Sequence, residues 1–235
     1  MHDHEFEGLL RHTMADLTEK FTHETEIGVT LRTVAAAAVD LIDGVDSADI
    51  LLISGADQFE SLAATSQLAV DLDGIQQRCG QGPCMDAASG DLVVRSNDLR
   101  EEQRWPRFAE AALAVGVHSM LSFQLYTHDR RQGALNLVGL KPDVFNPDAE
   151  AVAAMLATHA AIALIADDKR LQFQSALASR DIIGQAKGMI MERFDVDAVR
   201  AFELLKTVSQ STNTPVADLA ADLVARGSSS HRRGK

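Results

Sequence analysis

The stretch Arg180-Asp181-Ile182-Ile183-Gly184-Gln185-Ala186-Lys187-Gly188-Met189-Ile190-Met191-Glu192-Arg193 reads as one helix with two different sides. At about 100° per residue, and with Ala186 at the centre of view, Ile182, Ile183, Met189 and Ile190 fall within about 60° of it and form an apolar stripe. The opposite side carries Gly184 and Gly188 one turn apart. Arg180, Lys187 and Met191 border them on one flank, and Asp181, Gln185 and Glu192 on the other. Each helix-interior glycine costs about 1 kcal/mol relative to alanine, so the pair implies a compensating use. It leaves a patch without side chains, where another group can come close to the backbone. Two uses stand open: a second helix packed against the bare side, or a docking surface for phosphates and bases with Lys187 and Arg180 as charge contacts.

Downstream, Asp197 is a suitable N-cap for a helix over 197–210, with Ala198, Ala201, Phe202, Leu205 and Val208 on its expected buried side. Thr214-Pro215 starts a third helix, and Asp218 places negative charge near its positive end. Val216, Leu219, Ala220 and Leu223 give that helix one apolar face. Phe173, Phe194 and Phe202 are the aromatics of this region; with the last two expected inside, little remains for base stacking. The tail over 227–235 is small, polar and basic, and disorder is expected of it.

The charge distribution follows the same division. The chain carries −12 overall, which alone argues against nucleic-acid binding. Residues 1–169, however, hold 12 Lys and Arg against 27 Asp and Glu, whereas residues 170–235 hold 10 against 7. An acidic body thus bears a mildly basic C-terminal unit. At 235 residues, two units in one chain are the expectation.

The quoted stretch, followed by Ala201-Phe202-Glu203-Leu204-Leu205 and the helix over 213–224, closely resembles the ANTAR family of RNA-binding transcription antiterminators. The resemblance covers roughly 171–224. It implies a three-helix bundle that, as a homodimer, binds a pair of short hairpins in nascent leader RNA and so prevents an overlapping terminator from forming. Carried onto this chain, it implies Lys187 and Arg180 as phosphate contacts, Gln185 as a hydrogen-bonding group, and Gly184 and Gly188 as points of close approach. Met191 and Arg193 border them, and Lys206, Gln210 and Asn213 lie on the neighbouring surface. Lysines and arginines that hold phosphates beside a small patch that reads splayed bases suit RNA loops.

Upstream, an amphipathic helix is expected over 6–21, with Leu9, Leu10, Met14, Leu17 and Phe21 on one face, and a second from 26 to 42 that ends at Gly44. Short apolar runs bounded by turn residues follow at 48–54, 61–65, 92–95, 119–126 and 132–140, which suits an antiparallel sheet. Asp129 to Gly133 reads as a hairpin turn. Short helices are expected at 82–88 and 106–115. From 148 to about 193 there is no proline, and the first glycine is Gly184, so one helix, or two nearly collinear ones, can run out of the first unit into the second. Leu164, Leu171 and Ala178 repeat every seven residues, but Asp168 and Ser175 interrupt the pattern; a coiled-coil linker and an ordinary last helix both remain open.

This order, with Cys79-Gly80-Gln81-Gly82-Pro83-Cys84 leading into a short helix, resembles the GAF family of small-molecule sensor domains over about 26–166. The expected fold is therefore an α+β GAF-like sensor domain, antiparallel sheet with flanking helices, followed by an all-α three-helix ANTAR bundle. The expected boundaries are an N-terminal helix over 1–25, the sensor over 26–166, a helical linker over 167–179, the RNA-binding bundle over 180–226 and the tail. Cys79, Cys84, Trp105 and His118 are candidate pocket residues for an unknown small-molecule ligand. No motif assigns a cofactor, a metal or a catalytic residue.

The exclusions are broad. The N-terminus lacks the pattern of a secretory signal. The alanine-rich run over 151–166 contains His159 and falls short of the roughly 20 apolar residues a bilayer requires, so no membrane partner is expected. Two cysteines exclude a disulfide scaffold and a four-Cys zinc site. The reading is a cytoplasmic, non-enzymatic, signal-responsive antitermination regulator. The alternatives are a thiol enzyme or redox sensor, of the kind the GAF fold hosts in methionine-sulfoxide reductases, and a DNA-binding helical module.

Overall fold

The computed structural model describes residues 27–54, 58–128 and 131–231. The helix expected over 6–21 lies outside them. The chain divides between Asp167 and Asp168 into two compact units.

In the first unit, helix α1 (Ile27–Leu41) leads into strands β1 (Ser47–Ser54) and β2 (Gln58–Ala64). Helices α2 (Gln67–Cys79) and α3 (Pro83–Ser89) precede strand β3 (Val93–Ser96), and α4 (Pro106–Ala114) precedes the paired strands β4 (Ser119–His128) and β5 (Arg131–Gly139). The five strands form one antiparallel sheet in the order β2-β1-β5-β4-β3. All five apolar runs of the sequence are strands, with ends that shift by a few residues.

Helix α2 has no counterpart in the sequence reading. Its buried side is Ala69, Leu72, Asp73, Ile75 and Gln76, so two polar residues occupy core positions and break the apolar period. Its ends were nonetheless marked: the Ser66 hydroxyl accepts the Ala69 N–H, and Gly80 closes the helix at a left-handed φ of 60°.

Alternation along the strands sorts side chains to the two faces of the sheet. Ala48, Ile50, Leu121, Leu135 and Leu137 face a core completed by Leu31, Val34 and Ala38 of α1 and by Val152, Leu156 and Ala160 of the next helix. On the other face, Met120 and Val138 pack with Leu72, Trp105 and Phe108, while Leu51, Ile53 and Ala134 pack with Cys84 and Ala88. The sheet is covered on both sides.

Helix α5 (Pro147–Phe194) is 48 residues long, one continuous helix rather than two nearly collinear ones. Contrary to the length argument above, it contains a stretch apolar and long enough to cross a membrane by composition. Its Val152, Ala153, Leu156, Ala157, Ala160 and Leu164 are spent on the sheet core, which accounts for that composition.

The second unit joins the end of α5 to α6 (Ala198–Thr212) and α7 (Val216–His231). Ala186, Ile190, Ala201, Leu205 and Ala220 form its buried centre, ringed by Ile182, Ile183, Leu204, Val216 and Leu223. Asp197 caps α6 by accepting the Arg200 N–H at 2.8 Å, and Asn213 ends it at φ 51°. Two expectations fail here. Phe194, Phe202 and Val208 are 61%, 41% and 46% exposed rather than buried: Phe202 and Val208 lie about 60° to either side of Leu205, and three short helices bury a narrower stripe than that. Helix α7 also runs on to His231 where disorder was expected from residue 227. One glycine, Gly227, costs about 1 kcal/mol and does not stop a helix that no proline interrupts. Residues 232–235 are outside the described residues.

Candidate functional site

Two places among the described residues hold chemistry: a bare helix side in the second unit and a polar cluster inside the first.

A Cβ added at Gly184 or Gly188 would meet nothing within 4 Å, and both residues are exposed. Of the two uses the glycines left open, packing inside the protomer is not the one found. Arg180, Gln185, Met191 and Arg193 are exposed around them, and Lys187 is half-buried. On α6, Lys206 and Gln210 are exposed one and two turns beyond Phe202, with Asn213 exposed at the helix end. The two sets meet where the Lys187 ammonium stands 6.0 Å from the Phe202 ring centroid. Arg200 and Arg226 are engaged by Glu203 at 2.9 Å and Asp222 at 2.6 Å. Arg180, Lys187, Arg193 and Lys206 form no ion pair among the described residues, so their charge is available to a ligand. Ile190, Phe194, Leu204, Leu205, Val208, Leu219 and Leu223 line an apolar groove of about 520 Å³, with Asp222 and Arg226 at its rim.

Inside the first unit, β-register sets three polar side chains in a row on the face covered by α2 and α3. Asp49 pairs with Asn136, and Asn136 with Ser122, across β1, β5 and β4. Ser122 Oγ donates to Asn136 Oδ1 at 2.8 Å, and Asn136 Nδ2 donates to Asp49 Oδ2 at 3.1 Å. Helix α2 adds Asp73 and, one turn on, Gln76. Gln76 Oε1 accepts the Cys84 N–H at 3.0 Å. A Cβ on Gly82, at φ 143°, would stand 2.3 Å from that oxygen, so glycine is required there. Gln76 Nε2 is buried without a protein acceptor, and the buried Asp73 carboxyl has the Asp49 carboxyl as its hydrogen-bonding neighbour.

Burial, and then the neighbouring Asp73 charge, push the Asp49 carboxyl well above the usual carboxylate range; burial raises Asp73 to about 7. Two buried carboxyls with no cation beside them favour at least one retained proton. The same burial, with the Asp73 and Asp49 charges, raises the Cys84 thiol well above its ordinary value. A nucleophilic or redox cysteine needs the reverse, a stabilised thiolate.

Of the four expected pocket residues, Cys84 reaches this cluster. Cys79 is half-buried against the Leu72 and Phe108 core, and both thiols are free. Trp105 lies in the same core, 3% exposed, donating from Nε1 to Asp86 Oδ2 at 2.8 Å beneath the Arg104 guanidinium, 4.1 Å from its ring. His118 stands just before β4 with Nδ1 buried and unpartnered, and its charge helps lower the Asp98 carboxyl, which Arg100 chiefly holds at about 2. Asp49, Asp73, Gln76, Ser122 and Asn136 escaped the sequence reading. The available signal was a polar residue between apolar ones in each strand: Ala48-Asp49-Ile50, Leu121-Ser122-Phe123 and Leu135-Asn136-Leu137. Among the described residues, no group of His, Cys, Asp and Glu has the make-up to hold a metal ion.

Comparison with known proteins agrees with this division. A GAF domain model matches residues 24–165 and an ANTAR domain model matches residues 171–224. No curated protein matches the chain. Among solved structures, the GAF domain of a phosphoenolpyruvate-protein phosphotransferase from Coxiella burnetii is 14% identical, with 70% of this chain and 95% of that one covered and a TM-score of 0.51. Free methionine-R-sulfoxide reductase from Neisseria meningitidis, in complex with its substrate, is 15% identical, with coverages of 70% and 91% and a TM-score of 0.54. The chromophore-binding domain of a bacteriophytochrome from R. palustris is 12% identical, with coverages of 71% and 63% and a TM-score of 0.54. At such identities the structures share the fold and nothing finer. The chain belongs to the GAF domain family and carries an ANTAR domain after its GAF domain.

Proposed function

We propose that this protein is a cytoplasmic, non-enzymatic regulator whose ANTAR unit binds paired hairpins in nascent leader RNA and prevents termination, under control of a small molecule held by the GAF unit. The observation that carries the reading is the open Gly184–Gly188 face flanked by Arg180 and Lys187, cations that no carboxylate of the described residues neutralises. Gln185, Met191 and Arg193 extend this surface on α5, and Lys206, Gln210 and Asn213 extend it on α6. Two hairpins require two bundles, so the active species is a homodimer. A ligand controls it by binding one dimer arrangement better than another.

The thiol-enzyme alternative draws no support from Cys84, whose surroundings hold the thiol protonated. The test is a titration of the full-length protein and its Lys187→Ala variant against the leader RNA recovered by crosslinking in the host, at two salt concentrations. Loss of one phosphate contact lowers the slope of log affinity against log salt by about 1. Unchanged affinity and slope remove Lys187 from the interface, and equal competition by duplex DNA of unrelated sequence favours a DNA-binding module.

A further inference from the structure

Phe202 follows Ala201 in the buried centre of the second unit, yet its ring is 41% exposed. The Lys187 ammonium stands 6.0 Å from the ring centroid, the outer reach of a cation–π contact. On the same edge of α6, one turn on, Lys206 is exposed, and Gln210 follows after another turn. Among the described residues neither lysine is paired with a carboxylate, and Glu203, next to Phe202 in the chain, is taken by Arg200 at 2.9 Å. Beyond Lys187, Gly184 and Gly188 leave the backbone uncovered. The arrangement is thus an exposed aromatic ring with one ammonium beside it and a second a turn away.

We propose that the Phe202 ring is a stacking platform for one unpaired nucleobase of a hairpin loop, with Lys187 and Lys206 holding the phosphates that flank that nucleotide. The inference rests on the RNA-binding reading above and adds the chemistry by which a loop is told from a stem. Every base offers a π face, but in a duplex that face is covered by its neighbours; an exposed ring is satisfied only by a base already splayed out. A phosphate contact alone draws no such distinction.

The experiment measures binding of the full-length protein to the two-hairpin leader RNA for the wild type, Phe202→Leu, Phe202→Trp and Lys187→Ala. The wild type and Phe202→Leu are also titrated against RNAs carrying a single abasic nucleotide at each loop position. Phe202→Leu weakens binding about 10- to 100-fold, as expected of a lost base–aromatic stack, and leaves the salt slope unchanged, while Phe202→Trp retains binding. At one loop position the abasic change costs the wild type affinity and costs Phe202→Leu nothing further. Wild-type affinity in Phe202→Leu, beside weakened Lys187→Ala, overturns the platform and leaves RNA binding standing; no binding of leader RNA by the wild type overturns both. If Phe202→Leu binds weakly but sediments with a different mass from the wild type, the ring belongs to a contact between protomers and the proposal falls. Should the leucine variant fail to fold, as circular dichroism reports, the abasic scan on wild type and Phe202→Trp decides: no loop position with a loss of that size overturns the proposal.

Discussion

Asp73 ties the stability of the first unit to pH. Its carboxyl titrates at about 7 when folded, against the ordinary value of 3.8. The folded state therefore holds a proton between pH 4 and 7 that the unfolded state has released, and stability falls as pH rises across that window. Below pH 4 both states are protonated and the full contribution is present; above 7 it is gone. Asparagine keeps the shape without the charge. Asp73→Asn is expected to match the wild type in chemical denaturation at pH 4 and to exceed it by about 1–3 kcal/mol at pH 8, a figure set below the full three-unit difference because the Asp73 and Asp49 carboxyls titrate together. An equal effect at both pH values would mean that Asp73 is ionised throughout. Asp98, held at about 2 mainly by Arg100, acts in the opposite sense: its contribution is present above pH 4 and lost as pH falls towards 2. Comparing wild type with Asp73→Asn cancels it. Along the chain the only signal was a polar residue between apolar ones in the strands, and a lone aspartate such as Asp73 says nothing about what covers it.

The helix α5 offers a test in which stability and function move in opposite directions. A methyl group at Gly184 meets open space, so Gly184→Ala should raise the stability of the second unit by about 1 kcal/mol in thermal or chemical denaturation. On the proposed function, the same methyl stands where RNA approaches the backbone and weakens leader binding. A variant that is more stable and binds equally well would assign the glycines no role in recognition. Helix α5 was legible because a long run without proline, with its first glycine only at Gly184, has few other ways to fold. Helix α2 was not, because its core side carries Asp73 and Gln76 in place of the apolar residues by which a helix announces itself. Its capping serine and closing glycine were the surviving signals.

The whole molecule is two compact units of unequal means. The first has a sheet covered on both faces; the second has, among the described residues, a centre of five buried residues, three of them alanine. A core that small supports a marginal domain. Leu205→Ala, which removes one of its two large members, is expected to cost about 2–4 kcal/mol and to unfold the second unit while the first retains its structure. Hydrogen exchange would show amides of α6 and α7 losing protection while those of β1 and β5 keep theirs; loss of protection throughout would show one cooperative body. The sequence by itself determined the element order, the antiparallel sheet, the long helix and the bare side of Arg180–Arg193, since backbone periodicity, glycine placement and local charge are properties of neighbours in the chain. It also carried the GAF and ANTAR resemblances. Only the tertiary structure decided that Asp49, Asp73, Gln76 and Asn136 meet in the dark of the first unit and that Phe202 stays in the light of the second. A helical or strand period orients a side chain, but how wide a stripe is covered, and by which groups, depends on the segments that fold back against it from elsewhere in the chain.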